Sequence, residues 1–374
     1  MREKIRVLQY GALSGTYGGM ESYIAAQWKT MDRSKIQYDF LVPENEEHVA
    51  YEEDIERLGG RICKKWVGRK RGVLRHYIAL YRFFREHSYD VVVGNFLNLN
   101  NIDCLLFAWL FRVPIRVAHA HAAAVDYPSV PQKILATAHH FCLKITATHL
   151  FACSDLAGKW LFGTLWKSKK SYVIHNGIDT CKFSFNPQVR DNVRLEYGLS
   201  DKWVIGHTGR FAVTKNHRFI ISVFKELCKI TNDAVLVLVG KGVLEQEIRE
   251  LVKIDNLQDR VIFMGERENI QELLQGMDIF LFPSKSEGLG ISLIEAQATG
   301  LKCFTSDKVV PKDAAVTDLL TFLPLEESPA FWAKHILRAR AYTREDRSAY
   351  VRQRGYDAAD SVEMVSDVYL GKSQ

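Results

Sequence analysis

The sequence predicts an α/β protein built from two doubly wound domains. The chain has 374 residues, which is beyond the size at which a single hydrophobic core usually stops growing. In both halves, short β-branched or apolar runs alternate with longer stretches of helical periodicity, as strands alternate with helices in βαβ units. Because the strand runs are largely apolar, with helices between them, they indicate parallel sheets covered by helices on both faces.

The first half supplies an N-terminal domain, predicted over residues 1–182. Its strand candidates are Ile5–Tyr10, Tyr38–Val42, Val91–Gly94, Ile115–Ala118, Leu150–Cys153 and Tyr172–Ile174. Its helical stretches are Glu21–Thr30, Leu74–Glu86, Ile102–Phe111, Lys133–Thr146 and Asp155–Phe162.

The second half repeats the alternation and predicts a C-terminal domain over residues 183–354. Its strand candidates are Trp203–Thr208, Val235–Val239, Val261–Met264 and Ile279–Phe282, and its helices are Asn216–Ile230, Leu244–Val252 and a segment near Asn269–Gln275. The segment from Asp179 to Asn192 loses apolar periodicity and contains Asn186-Pro187, as a linker would. The tail, residues 355–374, reads as a helix separate from the second sheet. Ligands bind at the C-terminal ends of parallel strands, so two such domains facing each other would leave a cleft for them.

Composition restricts the class of protein. The formal net charge of +6 permits anionic partners but does not call for nucleic acid. The seven cysteines are odd in number and form no C-x-x-C, which favours free thiols in a reducing cytoplasm. The start of the chain lacks a signal-peptide core. The longest apolar run, Cys104–Phe111, is far below the about 20 residues of a spanning helix.

The segment from Pro283 to Lys302 is the most informative part of the chain. Glu287 and Glu295 bracket a glycine-containing turn between a strand and an apolar helix. Such a turn makes an anion site, because unpaired backbone N–H groups and the helix dipole point at one place. Carboxylates are poor phosphate ligands but good acceptors for sugar and ribose hydroxyls. The segment therefore predicts a pocket for a diphosphate that carries sugars. The alternative is structural, since Ser292-Leu293-Ile294-Glu295 also fits a capping box at a helix start.

Two further loops follow strand candidates and could approach a phosphate. Gly18-Gly19 stands directly before the first helix, but the loop lacks a dinucleotide fingerprint. Spacing alone favours a plain flexible turn there. Arg210 and Lys215 lie on the turn after Trp203–Thr208. Two cations near a helix N-terminus suit a diphosphate, whereas the simpler interpretation is a pair of solvated charges.

Polar residues after the middle strands of the first domain are candidates for sugar binding. Alternation would place His119 and His121 on one face of a continued strand, and no Cys or His spacing around them fits a zinc site. Asn95 and Asn98, in a cluster with Asn100 and Asn101, could bond sugar hydroxyls or cap a helix.

A basic, aromatic-rich run extends from Lys64 to Arg75 and into the next helix. Such a run suits the surface of an anionic membrane, and a solvated helix face is the alternative.

Taken in order, these motifs resemble the family 4 retaining glycosyltransferases with the GT-B fold, of the bacterial capsular or exopolysaccharide type. The residues that carry the resemblance are Gly18-Gly19-Met20-Glu21, Ile174-His175-Asn176-Gly177-Ile178-Asp179, Gly209-Arg210 with Lys215, and Glu287-Gly288-Leu289-Gly290 with Glu295. The last is similar to the family's E-x7-E motif. One departure is Asn216, where the family often has glycine.

The resemblance implies acceptor binding by the first domain and nucleotide-sugar binding by the second, with the C-terminal helix crossing back to the first. By position, it assigns donor contacts to Gly18, Gly19, Arg210, Lys215, Arg267, Glu287, Gly288, Leu289, Gly290, Ile291 and Glu295. Catalytic roles fall on His121, Arg210, Lys215 and Glu287. Acceptor contacts are expected from Asn95, Asn98, His119 and His121, with His119 the second choice for the active-site histidine.

The resulting hypothesis is transfer of a sugar, with retention, from a UDP-linked or similar donor to a glycan acceptor, here expected to be lipid-linked. No metal or cofactor is expected. The cysteines favour a cytoplasmic protein, and the basic run and the resemblance suggest peripheral binding at the inner membrane face. Two rivals remain open: an isomerase similar to UDP-N-acetylglucosamine 2-epimerase, and a non-catalytic subunit that only binds nucleotide or glycan.

Overall fold

A computed structural model describes residues 4–14, 18–122, 130–168 and 170–372. Residues 15–17 of the predicted glycine-rich loop lie outside the described residues, as do the first three residues and the last two. The chain forms two compact units. Unit 1 runs to Gly177 and resumes at Ala358, and unit 2 spans Ile178–Asp357.

Unit 1 is built on a parallel sheet of seven strands in the order β3-β2-β1-β4-β5-β6-β7. The strands are β1 Ile5–Tyr10, β2 Ile36–Pro43, β3 Arg61–Trp66, β4 Val91–Phe96, β5 Ile115–Ala120, β6 His149–Ala152 and β7 Lys170–Val173. The strand order reverses between β1 and β4, which pair directly. In doubly wound sheets, such a reversal opens a crevice at the C-terminal strand ends.

Helices connect these strands and cover the sheet. They are α1 Gly19–Thr30, α2 Glu52–Arg57, α3 Val73–Glu86, α4 Asp103–Leu110, α5 Val130–Thr146 and α6 Asp155–Phe162. Every residue of β4 is buried, as expected for a strand with both faces covered. The core includes Trp28 of α1, which stacks on Tyr38 with ring centroids 5.0 Å apart.

Unit 2 contains a parallel sheet of six strands in the order β10-β9-β8-β11-β12-β13. The strands are β8 Trp203–Thr208, β9 Ala234–Val239, β10 Val261–Gly265, β11 Ile279–Phe282, β12 Lys302–Ser306 and β13 Leu320–Leu323. Here the order reverses between β8 and β11, which are paired neighbours. The six strands of unit 2 therefore have the same order as the first six strands of unit 1, and each unit has its own reversal point.

The helices of unit 2 complete a separate hydrophobic core. They are α7 Pro187–Glu196, α8 His217–Cys228, α9 Glu245–Ile254, α10 Ile270–Gly276, α11 Ile291–Ala298, α12 Pro329–Arg338 and α13 Ser348–Gln353. Phe224 of α8 and Trp332 of α12 are fully buried in this core, beside Leu236 and Leu238 of β9.

The last helix, α14 Ala358–Tyr369, belongs to unit 1 and packs on α1. Its inner side buries Val362, Val365, Val368 and Tyr369. The expectation that the C-terminal helix returns to the first domain is confirmed. It is separate from α13, because Gly355 at φ 76° lies between the two helices.

The predicted linker is wrong in its second half. Asn186-Pro187 begins α7, where the Asn186 side chain accepts hydrogen bonds from the N–H groups of Gln188 and Val189. Proline is favoured at the first helical position because its missing N–H is not needed there. Asn186-Pro187, which the sequence predicts to be part of a linker, therefore marks the start of a helix.

Within the described residues, no helix has the length and apolar character needed to cross a bilayer.

Candidate functional site

The loops that follow β8 and β11 lie side by side at the reversal point of unit 2. The N–H of Lys285 donates to the Thr214 carbonyl at 2.7 Å, and the Asn216 amide donates to the Pro283 carbonyl at 3.1 Å. These bonds join segments that are about 70 residues apart in sequence. The structure thus brings together the cationic turn and the acidic turn that the sequence singled out separately.

Lys215 and Glu287 form an ion pair at the centre of this junction. The Ser284 hydroxyl also donates to the same carboxylate oxygen at 3.0 Å, and Ser284 is fully buried. The Lys215 ammonium lies 4.4 Å from the centroid of the Phe282 ring. An ammonium held between a carboxylate and an aromatic face is fixed in position before any ligand arrives.

Asn216 explains the departure from the family pattern. It has φ 57° and ψ 43°, in the left-handed region, which glycine adopts at no cost and asparagine tolerates better than most residues. Its side chain also makes the bond to the Pro283 carbonyl. Asparagine therefore meets the backbone requirement of a glycine and adds a link between the two loops.

The capping-box interpretation of Ser292 to Glu295 is wrong. Helix α11 begins at Ile291, and its N-cap is Gly290 at φ 81°, without a side-chain cap. Ser292 and Glu295 lie inside the helix, so Glu295 has no capping duty. Gly288 and Leu289 precede this helix start, and Leu289 and Ile291 are buried.

Glu295 is a buried carboxyl. It lies on α11 with its side chain almost wholly removed from solvent. Burial raises the pKa of Glu295 to about 8, because a charged carboxylate loses its hydration there. A carboxyl in this state is suited to a ligand that brings hydroxyl donors.

Arg210 and Arg267 are exposed, and the strands that precede them are separated by β9. Arg210 follows β8, and Arg267 follows β10 at the edge of the sheet. The loop of Arg210 is anchored by Phe211, whose N–H donates to the Lys241 carbonyl at 3.1 Å. The geometry therefore joins Lys215 to Glu287, while both arginines remain at the surface.

Two histidines near the cationic loop were missed by sequence reasoning. His207 is the penultimate residue of β8, and its ring packs against Phe282 at a centroid distance of 5.5 Å. His217 starts α8, and its ring stacks on Phe211 at a centroid distance of 4.1 Å. Their ring centroids are 4.8 Å apart. Within the described residues, His207 Nε2 and both ring nitrogens of His217 have no hydrogen-bond partner. Burial lowers the pKa of His217 to about 4, so the pair is neutral beside Lys215. The sequence offered one signal for these residues, which is that His207 lies inside a largely apolar strand run.

In unit 1, Gly18 and Gly19 form the start of α1. Gly18 is the N-cap in extended conformation, and its carbonyl accepts from the Ser22 N–H at 2.9 Å. The adjacent Glu21 is buried, and its carboxylate accepts from the Ser14 hydroxyl at 2.7 Å.

His119 and His121 lie on one face, as alternation predicts, with ring centroids 4.0 Å apart. Asn95 bonds His121 Nε2 through its side-chain oxygen at 2.9 Å and donates through Nδ2 to the Gln9 side chain at 3.0 Å. Gln9, Asn95 and His121 stand on or just after the neighbouring strands β1, β4 and β5. Gln9 was missed by the sequence reasoning, because it is a single polar residue in an apolar strand.

Because Asn95 presents its oxygen, His121 carries its proton on Nε2 and exposes a lone pair on Nδ1. Within the described residues, His121 Nδ1 and His119 Nε2 are buried without a partner. Burial lowers the pKa of His121 to about 3 and that of His119 well below its ordinary value. Both rings are therefore neutral hydrogen-bonding groups.

The other polar candidates of unit 1 have local partners. Asn98 caps a turn by accepting from the Asn100 N–H at 3.0 Å. In the basic run, Arg69 pairs with the buried Asp103, Arg71 and Arg75 pair with Glu44, and Lys64 pairs with Glu52. Among the described residues, no group of three or more His, Cys, Asp or Glu side chains is arranged to hold a metal ion.

Comparison with family models accounts for most of the chain. Residues 17–182 match the model described as Glycosyltransferase Family 4. Residues 189–341 match the model described as Glycosyl transferases group 1.

Curated relatives include proteins of polysaccharide synthesis. The inferred glycosyltransferase EpsF of Bacillus subtilis (strain 168) is 34% identical over 94% of this chain and 93% of its own. The capsular polysaccharide biosynthesis glycosyltransferase CapH of Staphylococcus aureus is 22% identical over 81% of this chain and 85% of its own. An Escherichia coli UDP-Gal:alpha-D-GlcNAc-diphosphoundecaprenol alpha-1,3-galactosyltransferase is 28% identical over 63% of this chain and 62% of its own.

Solved structures show the same GT-B fold. Anabaena HepE, determined with UDP and glucose, superposes with a TM-score of 0.77 at 18% identity, over 98% of this chain and all of its own. WaaG, a glycosyltransferase of lipopolysaccharide biosynthesis, superposes with a TM-score of 0.70 at 17% identity over 98% of this chain and 100% of its own. The motifs, the paired doubly wound units and the full-length likeness to EpsF agree, and this chain belongs to the family 4 glycosyltransferases.

Proposed function

We propose that this enzyme transfers a sugar from a UDP-sugar to a glycan carried on a lipid diphosphate, in exopolysaccharide or capsule synthesis. The observation that carries the proposal is the junction of Lys215 and Glu287 at the reversal point of unit 2. A cation, a carboxylate and the start of α11 converge there, which suits a diphosphate joined to a hydroxyl-rich group.

The donor and acceptor classes are supported by relatives. The Escherichia coli relative is named for a UDP-galactose donor and a diphosphoundecaprenol acceptor, and HepE was determined with UDP and glucose. In this chain, the hydroxyls of the ribose would donate to Glu295, and those of the transferred sugar to Glu287. The diphosphate would take Lys215 as its counter-ion, with Arg210 approaching from the same loop.

The proposed reaction retains the anomeric configuration. The bond between the anomeric carbon and the β-phosphate oxygen breaks, and its electron pair stays on the phosphate. The acceptor oxygen then bonds to the same face of the sugar, while its proton passes to an oxygen of the departing diphosphate. Negative charge therefore grows on the diphosphate. Lys215, Arg210 and the N–H groups at the start of α11 would stabilise it without a metal, and one such donor contributes about 3–4 kcal/mol.

In unit 1, we propose that His121 serves as a neutral hydrogen-bonding group for a sugar hydroxyl. Its Nδ1 lone pair is buried and unpartnered within the described residues. A neutral imidazole accepts a hydrogen bond from a sugar hydroxyl without adding positive charge. Asn95 holds that ring in place, so we assign Asn95 to positioning.

The decisive experiment supplies UDP-sugars with and without a lipid-diphosphate glycan and measures released UDP. Release that depends on the acceptor is the expected result. Conversion of the donor to an epimer without acceptor would instead support the isomerase, and binding without turnover would support a non-catalytic subunit. NMR of the product's anomeric centre tests retention, and activity that survives EDTA tests metal independence.

A further inference from the structure

The side-chain amide of Asn95 is fully used in hydrogen bonds. Its oxygen accepts from His121 Nε2 at 2.9 Å. Its nitrogen donates to the Tyr10 carbonyl at 3.2 Å and to the Gln9 side-chain oxygen at 3.0 Å. A backbone carbonyl can only accept, so the amide cannot turn over without bringing two oxygens together. Two groups of β1 therefore determine the orientation of Asn95, and with it the proton on His121 Nε2.

Gln9 in turn faces two buried tyrosines. It is only 1% exposed, and its side-chain oxygen is occupied by Asn95. Within the described residues, Gln9 Nε2 has no partner at hydrogen-bond distance, and the groups it faces are the hydroxyls of Tyr38 and Tyr369. Tyr38 lies on β2 and Tyr369 on α14, with ring centroids 6.4 Å apart. A buried amide N–H beside hydroxyl oxygens can be satisfied by a small movement.

A directed series of hydrogen bonds continues from Tyr38 to α14. The Tyr38 hydroxyl donates to the Gln27 side-chain oxygen at 2.8 Å, and the Gln27 side-chain nitrogen donates to the Tyr23 hydroxyl at 2.8 Å. The Tyr23 hydroxyl faces Ser361 of α14. Each donor in the series therefore points away from His121 and towards α14. We call these buried side chains the polar network, and its members are Gln9, Tyr23, Gln27, Tyr38, Asn95 and Ser361.

The far end of the polar network returns to the histidines. The Tyr23 ring centroid lies 6.0 Å from that of His119 and 6.0 Å from that of His121. Burial raises the pKa of Tyr23 well above its ordinary value, so its hydroxyl keeps its proton. Tyr23 and Gln27 are one turn apart on α1, which packs on α14. The same helix pair therefore carries the polar network and packs a ring against both histidines.

We infer that the polar network positions His121 for sugar transfer, with Gln9 and Tyr38 as positioning residues between α14 and the imidazole. The inference rests on the proposed function, in which His121 meets a sugar hydroxyl. Hydrogen bonds in series polarise one another in a low-dielectric interior. A series that donates in one direction favours the tautomer of His121 with its proton on Nε2, and it leaves the Nδ1 lone pair for the sugar. A network that only fills the core would affect stability alone.

Nitrogen-15 NMR of the imidazoles in the full chain tests the inference. Tyr38→Phe removes one hydroxyl from the middle of the polar network and keeps the ring. We expect a measurable share of the Nδ1–H tautomer of His121 in this variant and almost none in the parent. Its kcat should be about fivefold lower, as for the loss of one hydrogen bond, with the KM for the UDP-sugar unchanged. Tyr89→Phe is the matched control, because it removes another buried tyrosine hydroxyl of unit 1, one that donates to Asp39. It should keep the parent's tautomer and kcat.

Gln9→Leu interrupts the polar network next to Asn95 and should shift the His121 tautomer in the same direction, so either variant decides the question if the other does not fold. The parent's tautomer in a folded Tyr38→Phe or Gln9→Leu protein would overturn the inference, as would an equal loss of kcat in Tyr89→Phe. The tautomer is measured without turnover. A shift in both variants would therefore support the inferred network even in a chain that releases no UDP when acceptor is added, a result that would contradict the proposed function alone.

Discussion

Lys215 and Glu287 neutralise each other across two loops before a donor arrives. An incoming diphosphate must take over the ammonium while the carboxylate turns to hydroxyl groups. Removing the charge of Lys215 and removing that of Glu287 should therefore change UDP binding in opposite directions. The lysine attracts the diphosphate, and the glutamate competes with it for the same ammonium.

Lys215→Met should weaken UDP binding and lower kcat by about 10²–10³, the usual effect of losing one charge-stabilising donor. Glu287→Gln should bind UDP as tightly as the parent or more tightly, yet turn over slowly because the sugar loses an acceptor. Calorimetry with UDP and steady-state kinetics measure both. Lys253→Met, at an exposed lysine of α9, is the control. Equal loss of UDP binding in both variants would contradict the assignment.

Glu295 makes stability depend on pH in an unusual direction. Burial raises its folded pKa to about 8, whereas an unfolded glutamate has a pKa of about 4.3. Between these values the unfolded state releases a proton that the folded state keeps. The free energy of unfolding contributed by this group is therefore fully present at low pH and falls until about pH 8.

Glu295→Gln should remove that fall, so its melting temperature should decline less than the parent's between acidic and mildly alkaline buffers. Ribose hydroxyls favour the charged carboxylate, so UDP affinity of the parent should rise with pH towards about 8, and that of Glu295→Gln should not. Thermal unfolding and UDP titrations over a pH series measure both effects. Parallel curves for the two proteins would rule out the buried carboxyl as their cause.

Asn95 determines the protonation pattern of His121. The parent should show a neutral His121 with its proton on Nε2 throughout the range in which exposed histidines titrate. Asn95→Asp should raise the His121 pKa, because a carboxylate stabilises the imidazolium, although His119 and Tyr23 also face the ring. Nitrogen-15 NMR of the imidazoles detects tautomer and charge. Asn95→Ala, which supplies no acceptor, should leave the pKa low, and a similar rise there would contradict the role.

At the scale of elements, the two loops of unit 2 depend on one backbone conformation. Asn216→Ala should lower stability by about 1–2 kcal/mol, since a left-handed φ is costly for alanine and the bond to the Pro283 carbonyl is lost. Asn216→Gly should lose less stability, because glycine keeps the left-handed backbone conformation. Melting temperatures and KM for the donor test this. The account fails here if alanine is tolerated better than glycine.

Elements also show why sequence reasoning succeeded in part. Strands and helices near the site followed from periodicity, since β11 is an uninterrupted apolar run and β8 begins with one. Periodicity did not predict that β8 and β11 are neighbours, because nothing in two separated apolar runs indicates that they pair. The capping box at Ser292 to Glu295 was wrongly predicted for a related reason. The same residue types occur at a helix start and inside a helix, and only Gly290 at φ 81° locates the start.

Pairing across the sheet hid other site residues as well. Gln9 and Asn95 lie 86 positions apart, yet their side chains bond at 3.0 Å because β1 and β4 are neighbours. His119 and His121 could be placed on one face because they belong to a single strand. The contact between His207 and His217 could not be predicted, since the conformation of the loop between them determines how close the two rings lie.

For the whole molecule, α14 should stabilise unit 1 rather than unit 2. Val365→Ala removes a buried side chain where α14 packs on α1 and should cost about 1–2 kcal/mol. Hydrogen exchange by mass spectrometry should show faster exchange in the strands of unit 1, with β8–β13 unchanged. Met364→Ala, an exposed position of the same helix, is the control. Faster exchange confined to unit 2 would contradict the assignment of α14.

The central claim is that unit 2 binds the donor diphosphate at the junction of the loops after β8 and β11. Hydrogen exchange with and without saturating UDP tests it most directly. The account predicts slower exchange in residues 209–216 and 284–295, reduced or absent in Lys215→Met. UDP binding with no protection of either segment, or with protection confined to unit 1, would contradict it.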